Sequence, residues 1–425
     1  METISLSAAP PETISPDLRC KILIIGGGAG GISVAAALKR QRPDLDIVVV
    51  DPSERHFYQP GWTLVGAGVK TPASTMRLEK NVIPKGVRWL QTDAASFVPD
   101  ANLVRLGNGQ IIAYDYLVVA PGLKLEWDKV EGLRETLGRN NVCSNYTFET
   151  ASYTFECVKA FKGGTAVFTQ PPMPIKCAGA PQKVLYMTAD YLRRHKRLAD
   201  TRLEFCLAGD VLFGVPFFVP ILQKTMQDYG ANVNFKHTLT AVDGPGRKAF
   251  FKVVDSEGKT SEKIITFDML HVTPPQGPVD VLRVSPLANE AGWLDVDPQT
   301  LRHKTYANVF GIGDAMGTTN AKTAAAVRMQ VPVVVGNLLA ALDGKEMKQV
   351  YDGYGACPLT VAYGKIVLAE FLYGGKVAPS FPLDPRVPSR FSWFLKTQVM
   401  PMLYWHQMLG GYKFDVGHRE RTYSS

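Results

Sequence analysis

The sequence predicts an α/β protein made of two Rossmann-like domains and a C-terminal helical segment of membrane-associating character. Three observations carry this expectation. A glycine-rich turn joins an apolar β run to an alanine-rich helix near residue 26, a second set of β and helical runs starts near residue 165, and the last forty residues crowd aromatic and basic side chains together. The chain has 425 residues, 46% of them hydrophobic and 20% charged, enough for two or three domains.

The first 19 residues hold Pro10, Pro11, Glu12, Asp17 and a single basic residue, Arg19. They match neither a signal nor a transit peptide, and a flexible extension is expected. Lys21 to Ile25 is a short apolar β run that feeds Gly26-Gly27-Gly28-Ala29-Gly30-Gly31, with a helix expected over Ile32 to Arg40. Ile47 to Val50 is a second β run and ends at Asp51, which completes a β-α-β unit. Tyr116 to Ala120 reads as a buried strand closed by Pro121-Gly122. Thr165 to Thr169 opens the second set, followed by a helical stretch over Gln182 to Lys196 and a strand over Leu203 to Leu207. Val309 to Ile312 is a strand, Lys322 to Leu342 is helical, and Ile366 to Tyr373 is a strand of a C-terminal segment. The longest apolar stretch, 331–342, carries Asn337 and is too short to span a bilayer.

Gly26, Gly28 and Gly31 form G-x-G-x-x-G directly after a strand, with Ala29 and Gly30 inside the motif. Glycine permits the tight turn, the approach of a pyrophosphate and close helix packing, and Asp51 is placed to hydrogen-bond an adenosine ribose. The plainer alternative is a glycine-rich turn that only packs a helix. Thr305-Tyr306-Ala307-Asn308-Val309-Phe310-Gly311-Ile312-Gly313-Asp314 resembles the second flavin motif of the two-dinucleotide-binding-domain flavoproteins, whose aspartate contacts the ribityl chain. Tyr116-Leu117-Val118-Val119-Ala120-Pro121-Gly122 resembles the Ala-Thr-Gly turn of the same family, with Pro121 in the threonine place. FAD is therefore the expected dinucleotide. A second glycine fingerprint is sought at Phe205 to Gly214, where Leu207, Ala208, Leu212 and Phe213 spoil it. Electrons are expected to come from something other than NAD(P)H.

Six cysteines are present, with no C-x-x-C and no H-E-x-x-H, so neither a metal site nor a disulfide scaffold is expected. Cys177 lies in Pro174-Ile175-Lys176-Cys177-Ala178-Gly179-Ala180-Pro181-Gln182-Lys183, and Cys357 in Tyr351-Asp352-Gly353-Tyr354-Gly355-Ala356-Cys357-Pro358-Leu359. Both contexts read as Gly/Pro-rich turns. Cys177 precedes a helix and is flanked by Lys176 and Lys183, which favours the thiolate. Cys206 reads as a packed strand residue, Cys20 and Cys157 as peripheral, and Cys143 as a residue of a polar, exposed loop.

Those two cysteine runs, with Pro52-Ser53-Glu54-Arg55-His56-Phe57-Tyr58-Gln59-Pro60, resemble the sulfide:quinone oxidoreductases, most closely the branch with the mitochondrial enzymes. The resemblance covers about residues 20 to 412 and implies a glutathione-reductase-like fold with noncovalent FAD. It implies that sulfide attacks a Cys177–Cys357 disulfide or a sulfur-bridged form of it. Cys357 is left as a persulfide, and Cys177 passes electrons through FAD to quinone. Glutathione or another thiol, sulfite, cyanide or further sulfide removes the sulfane sulfur. It also places Gln59, Ala94, Gly122, Gly313, Asp314 and Lys322 with the cofactor-binding residues, Lys322 as a cation near the flavin. The expected division is an extension (1–19), a first part of the FAD domain (20–150), a second Rossmann-like domain with a degenerate nucleotide site (151–290), a second part of the FAD domain (291–345) and a C-terminal domain (346–425). An NADH:quinone oxidoreductase of similar fold and a non-catalytic FAD-binding membrane protein are the alternatives.

The net charge of +8 suits an anionic surface or substrate, and no basic block with interleaved aromatics points to nucleic acid. Residues 386–425 hold six Lys/Arg against two Asp/Glu. Phe391, Trp393, Phe394, Met402, Tyr404 and Trp405 lie among them, and Pro401 divides them into two expected helical pieces. Trp/Tyr with cationic flanks fit a monotopic anchor on a bacterial inner membrane, at its cytoplasmic face, or on a mitochondrial inner membrane. Packing as a core or homo-oligomer helix pair is the other reading. Because the cysteines lie upstream, removal from Ser389 onward is expected to spare sulfide chemistry more than quinone chemistry.

Overall fold

The computed structural model describes residues 15–319, 321–413, 417–421 and 423; the expected extension lies mostly outside them. The first domain is built on a seven-stranded sheet. Strands Val87–Leu90, Ile47–Val50, Leu18–Ile25 and Ile111–Val119 run parallel in that order. The far edge of Ile111–Val119 is shared. Its first half pairs antiparallel with Leu103–Leu106, which turns back into Ala94–Val98, and its last residues pair parallel with Val309–Gly311. Ile47, Val48, Val49 and Val50 are all buried, as strands covered on both faces require. One cover is the helix Ala29–Gln41, packed against the helix Ala324–Leu342. The close fit depends on Gly31, where a Cβ would lie 1.8 Å from the Gly26 carbonyl oxygen.

The helix Ala324–Leu342 is longer than the apolar stretch read from the sequence, and by length and composition it could cross a membrane. Inside the fold it is a packing element. Gln330 and Asn337 are buried on it, and they hydrogen-bond to Gly313 N, Thr300 O and both backbone groups of Gln349.

The second domain has a five-stranded parallel sheet in the order Val142–Cys143, Met269–His271, Gly164–Gln170, Thr201–Leu207, Asn232–Asn234. It therefore begins before residue 151. An antiparallel meander, His237–Asp243, Lys248–Val254 and Thr260–Thr266, packs beside it. This topology relocates the second fingerprint. Gly164–Gln170, the helix Ala180–Arg194 and Thr201–Leu207 are the β-α-β unit, so the place of a phosphate turn is the segment after Gln170. That segment is Pro171-Pro172-Met173-Pro174-Ile175-Lys176-Cys177; the stretch near Leu207 follows the second strand of the unit instead.

Several cysteine expectations change. Cys357 is not in a turn: it is buried in the strand Gly355–Ala362, which pairs antiparallel with Lys365–Phe371. Pro358 is tolerated there because this is a two-stranded ribbon with free edges. Cys20 and Cys157 are buried core residues, not peripheral ones, and Cys143 is buried in a short strand, not an exposed loop.

The C-terminal segment also differs. Arg390–Phe394 and Met400–Met402 are α-helical and alternate with the π-helical Leu395–Val399 and Leu403–Met408, so the backbone stays helical through Pro401. Wider turns on both sides relax the spacing that a proline N cannot satisfy. Tyr404, Trp405, Met408 and Leu409 are buried in the first domain's core. The Tyr404 hydroxyl and His56 Nε2 share a 2.7 Å hydrogen bond, and His56 Nδ1 lies 3.0 Å from the Gly27 carbonyl oxygen and 3.2 Å from Glu79 Oε2. Outward, Phe394 is 54% and Met402 53% exposed. The segment is thus a core element with one apolar face left open, and removing it from Ser389 onward would uncover the first domain. Tyr404→Phe should lower stability by about 1–3 kcal/mol, because a buried imidazole nitrogen loses its partner; the shift of a chemical-denaturation midpoint measures it.

Candidate active site

A single cavity of about 790 Å³ gathers most of the expected site residues. Gly28, Ala29, Gly30, Asp51, Gln59, Gly122, Gly313, Asp314, Lys322 and Cys177 all line it. Gly26 and Gly31 are not on its wall; they hold the turn beneath it. Ala94 sits in the first sheet's antiparallel pair and does not reach the cavity, so the structure gives it no contact with a cofactor there.

The dinucleotide end is set by the turn after Leu18–Ile25. A Cβ on Gly28 would meet nothing within 4 Å, so this edge of the helix N-terminus is open to the cavity, as a pyrophosphate requires. Asp51 is oriented by two backbone donors, Gly27 N to Oδ2 at 2.6 Å and Ser53 N to Oδ1 at 2.8 Å. Beside it the buried Glu79 leaves Oε1 without a partner, and burial raises its pKa. At the other end, Gly313 N donates to Gln330 Oε1 at 2.9 Å, which fixes the turn that carries Asp314. Burial raises the Asp314 pKa, and Lys322 and Lys176 oppose that shift. Lys322 Nζ donates to the Asp314 and Met316 carbonyl oxygens at 2.8 and 2.9 Å and lies 4.2 Å from the Trp293 ring centre. Burial pulls its pKa down to about 8. Open glycine edge, oriented Asp51 and orphaned carboxylate oxygen fit an adenine dinucleotide.

The sulfur end forms where the second domain meets the C-terminal hairpin. Cys177 takes φ +51° and its N–H donates to the Lys322 carbonyl at 2.9 Å, which ties the thiol loop to the first domain. The Cys177 and Cys357 Sγ atoms are 3.7 Å apart. Gly179 permits this approach, since a Cβ there would lie 2.6 Å from Cys357 Sγ and 2.5 Å from Leu359 Cδ2. Lys183, one turn into the helix, donates from Nζ to Cys177 Sγ at 3.1 Å. Hydrogen bonding from Cys357 and the Lys183 cation hold the Cys177 thiol well below its ordinary pKa, against burial. The Cys177 thiolate and burial push Cys357 the other way. Burial would depress the Lys183 ammonium, but the two sulfurs outweigh it and keep it charged.

Lys396 is the residue that the sequence reading placed elsewhere. It was expected as a cationic flank of the anchor; the structure buries it to 3% beside the thiols, where burial and Lys183 pull its pKa down to about 7. Its setting was visible in part, since Trp393, Val399 and Met400 stand three and four positions away, so a lysine there has apolar neighbours on its own helix face. His56 and Glu79, which brace the glycine turn, had no sequence signal beyond their place in and after the Pro52 to Pro60 run.

The hairpin has two faces. Ala356 pairs with Glu370 and Pro358 with Leu368, and these four line the cavity. Cys357 pairs with Ala369 and Leu359 with Val367, and these face the second domain's core. Across the cavity from the first face stand Leu395, Val399, Met400 and Leu403, which makes an apolar arm under the C-terminal helix.

A family model described as pyridine nucleotide-disulphide oxidoreductase matches residues 20–152. The mitochondrial sulfide:quinone oxidoreductase of Dictyostelium discoideum is 45% identical over 394 residues, 92% of this chain and 86% of that protein. That of Mus musculus is 41% identical over 392 residues, 92% of this chain and 87% of that protein. The crystal structure of the sulfide:quinone oxidoreductase from Aquifex aeolicus superposes with a TM-score of 0.75 at 20% identity, covering 93% of this chain and 92% of that one. At that identity it is a likeness of fold. For the thiol pair, Lys183→Met should raise the Cys177 pKa, because the thiolate loses its nearest cation. The midpoint of the iodoacetamide rate against pH should then move upward by about one to three units; an unmoved midpoint would show that Lys183 does not set the thiolate.

Proposed function

Because the chain belongs to the sulfide:quinone oxidoreductase family, we propose that it oxidises hydrogen sulfide through Cys177 and Cys357 and reduces a quinone at the apolar arm. The observation that carries this reading is the thiol pair: Cys177 Sγ on the wall of the dinucleotide cavity, 3.1 Å from a buried lysine and 3.7 Å from Cys357 Sγ behind it. The two sulfurs lie 180 positions apart in sequence.

In the oxidised pair the hydrosulfide ion attacks Cys357 Sγ, an S–S bond forms to the incoming sulfur, and the Cys177–Cys357 bond breaks. Cys177 leaves as a thiolate, which Lys183 stabilises; a lower leaving-group pKa speeds such exchange. Cys357 keeps the sulfane sulfur as a persulfide. Glutathione, sulfite or a second sulfide then attacks that outer sulfur, and the Cys357 thiolate is released beside Cys177. FAD, bound noncovalently, would supply the two-electron acceptor by which the disulfide is restored and quinone reduced. Gly28 and Asp51 would hold its adenosine and pyrophosphate part, Asp314 the ribityl part, and Lys322 a cation near its ring.

The NADH-oxidising alternative needs a glycine-rich turn after Gly164–Gln170. Pro171, Pro172 and Pro174 take that place, so no observation favours it.

The membrane enters through the open face of the C-terminal helical run. Phe391, Phe394 and Met402 point outward on it, and the exposed Leu383 and Val387 precede it. Apolar side chains of this size contribute about 1.5–3 kcal/mol each when fully buried. Interfacial docking of this face on an anionic bilayer places the apolar arm, which runs beneath the same helix, next to the lipid that holds quinone. The mitochondrial relatives fit such a membrane.

Two outcomes test the proposal. Cys177→Ser and Cys357→Ser should each keep bound flavin yet lose bleaching of the flavin spectrum by sulfide; normal bleaching in either removes the mechanism. Phe394→Asp with Met402→Asp should leave the flavin content unchanged and weaken co-sedimentation with anionic vesicles by about a hundredfold, on the loss of two buried apolar groups. Unchanged sedimentation places the anchor on another surface.

A further inference from the structure

Glu370 is a buried carboxylate on the cavity face of the hairpin, and the sulfur chemistry does not use it. Strand alternation puts it opposite Ala356, on the face away from Cys357. Oε1 accepts from the Tyr354 hydroxyl at 2.5 Å and from Ser380 Oγ at 2.6 Å, and Oε2 accepts from Ser380 N at 3.0 Å. All three donors are neutral. A buried carboxylate without a cation among its hydrogen-bond partners costs stability relative to an apolar residue of its size. Leu368, Phe381 and Leu395 share its cavity wall, so the position otherwise suits an apolar side chain. Tyr354 and Ser380 line the same cavity, and Ser380 is half-buried, next to the partly open Phe381 and the exposed Pro382. Charged groups stand on its partner Tyr354: Arg328 is 5.6 Å from its ring centre, and the His418 ring, paired with Asp352, packs on it at 4.4 Å.

We infer that Glu370 is the proton donor to the quinone held in the apolar arm. The inference rests on the proposal that this arm is the quinone site. Reduction of a quinone to a quinol takes two electrons and two protons. FAD, when bound and reduced, would supply the electron pair and one proton. A proton enters from solvent by way of the Ser380 hydroxyl, which touches both Glu370 and the more open rim, and forms an O–H bond on the carboxylate. That bond breaks as the second O–H bond forms at a quinone oxygen, and the carboxylate left behind keeps its three hydrogen bonds. Buried beside Leu368, Phe381 and Leu395, the carboxyl holds the donor away from bulk water, where general acid catalysis adds most.

The test separates the two half-reactions in anaerobic stopped flow. In Glu370→Gln the side chain keeps its shape and can still hydrogen-bond. Flavin content should equal that of the wild type, and sulfide should bleach the flavin within about twofold of the wild-type rate, since only a step after flavin reduction has lost a group. Reoxidation by a short-chain benzoquinone should slow by about a hundredfold. Equilibrium binding of the oxidised quinone, followed as a change in the visible flavin spectrum, should be unaltered. Glu370→Asp, which retains a carboxyl, should recover part of the lost rate. Reoxidation of Glu370→Gln within about threefold of wild type would overturn the proton role. Met400→Trp, which fills the arm, tests the site beneath it. If Met400→Trp blocks quinone binding while Glu370→Gln reoxidises normally, only the proton role falls. If Met400→Trp binds and reacts with quinone as the wild type does, the quinone site lies elsewhere and both readings fall.

Discussion

A buried ammonium needs an anion within reach, and Lys183 at 2% exposure finds it in the Cys177 thiolate. An uncompensated buried charge costs several kcal/mol, so the pair constrains the structure as much as the chemistry. The helix Ala180–Arg194 must deliver Lys183 one turn from its start, and the preceding loop must fold back so that Cys177, at a left-handed φ, meets it. The hairpin must close over both, which Gly179 allows. The C-terminal helix must then seal the remaining side, and it does so with a second lysine. Burial and then repulsion from Lys183 lower the pKa of Lys396, so the two lysines do not carry charge there independently.

The two Rossmann-like domains use the same architectural point differently. In the first, the turn between strand and helix is all glycine and alanine and opens toward the cavity. In the second, the corresponding turn carries Pro171, Pro172, Pro174 and then a cysteine. The helix N-terminus favours negative charge in both cases. The first is open to the cavity at Gly28, where a phosphate would fit, and the second has Cys177 just ahead of it. This is why a domain with no glycine fingerprint still contributes half of an active centre.

Much of this was legible from residues alone. The G-x-G-x-x-G turn, Asp51 and Gly313-Asp314 carry their structural context within a few positions, and all came together in one cavity except the two glycines whose task is packing. The Cys177 and Cys357 runs were legible as motifs, but the setting of Cys357 was not. Gly353, Gly355 and Pro358 suggest a turn, and only pairing with Lys365–Phe371, a contact along the chain that local propensity does not encode, makes it a strand. The misplacement of the second fingerprint has the same origin: Ala208-Gly209 looks like a phosphate turn locally, and sheet order decides otherwise. Lys396 and Tyr404 were hidden because a run of aromatic, methionine and basic residues has the same composition at a lipid surface and at a half-buried helix. Here Tyr404 and Trp405 pack into the first domain's core.

The two-faced hairpin has one more consequence. Hydrosulfide and persulfides are strong nucleophiles, and quinones are electrophiles that such sulfur species add to directly. A protein that handles both must keep them from combining. The alternation of Cys357 with Ala356 and Pro358 turns the Cys357 sulfur toward the second domain's core and the apolar arm toward the opposite side. On the proposed mechanism, with electrons crossing only by way of a flavin, the strand would work as an insulator: it would let the redox reaction through and shut out the covalent adduct that would destroy both reagents.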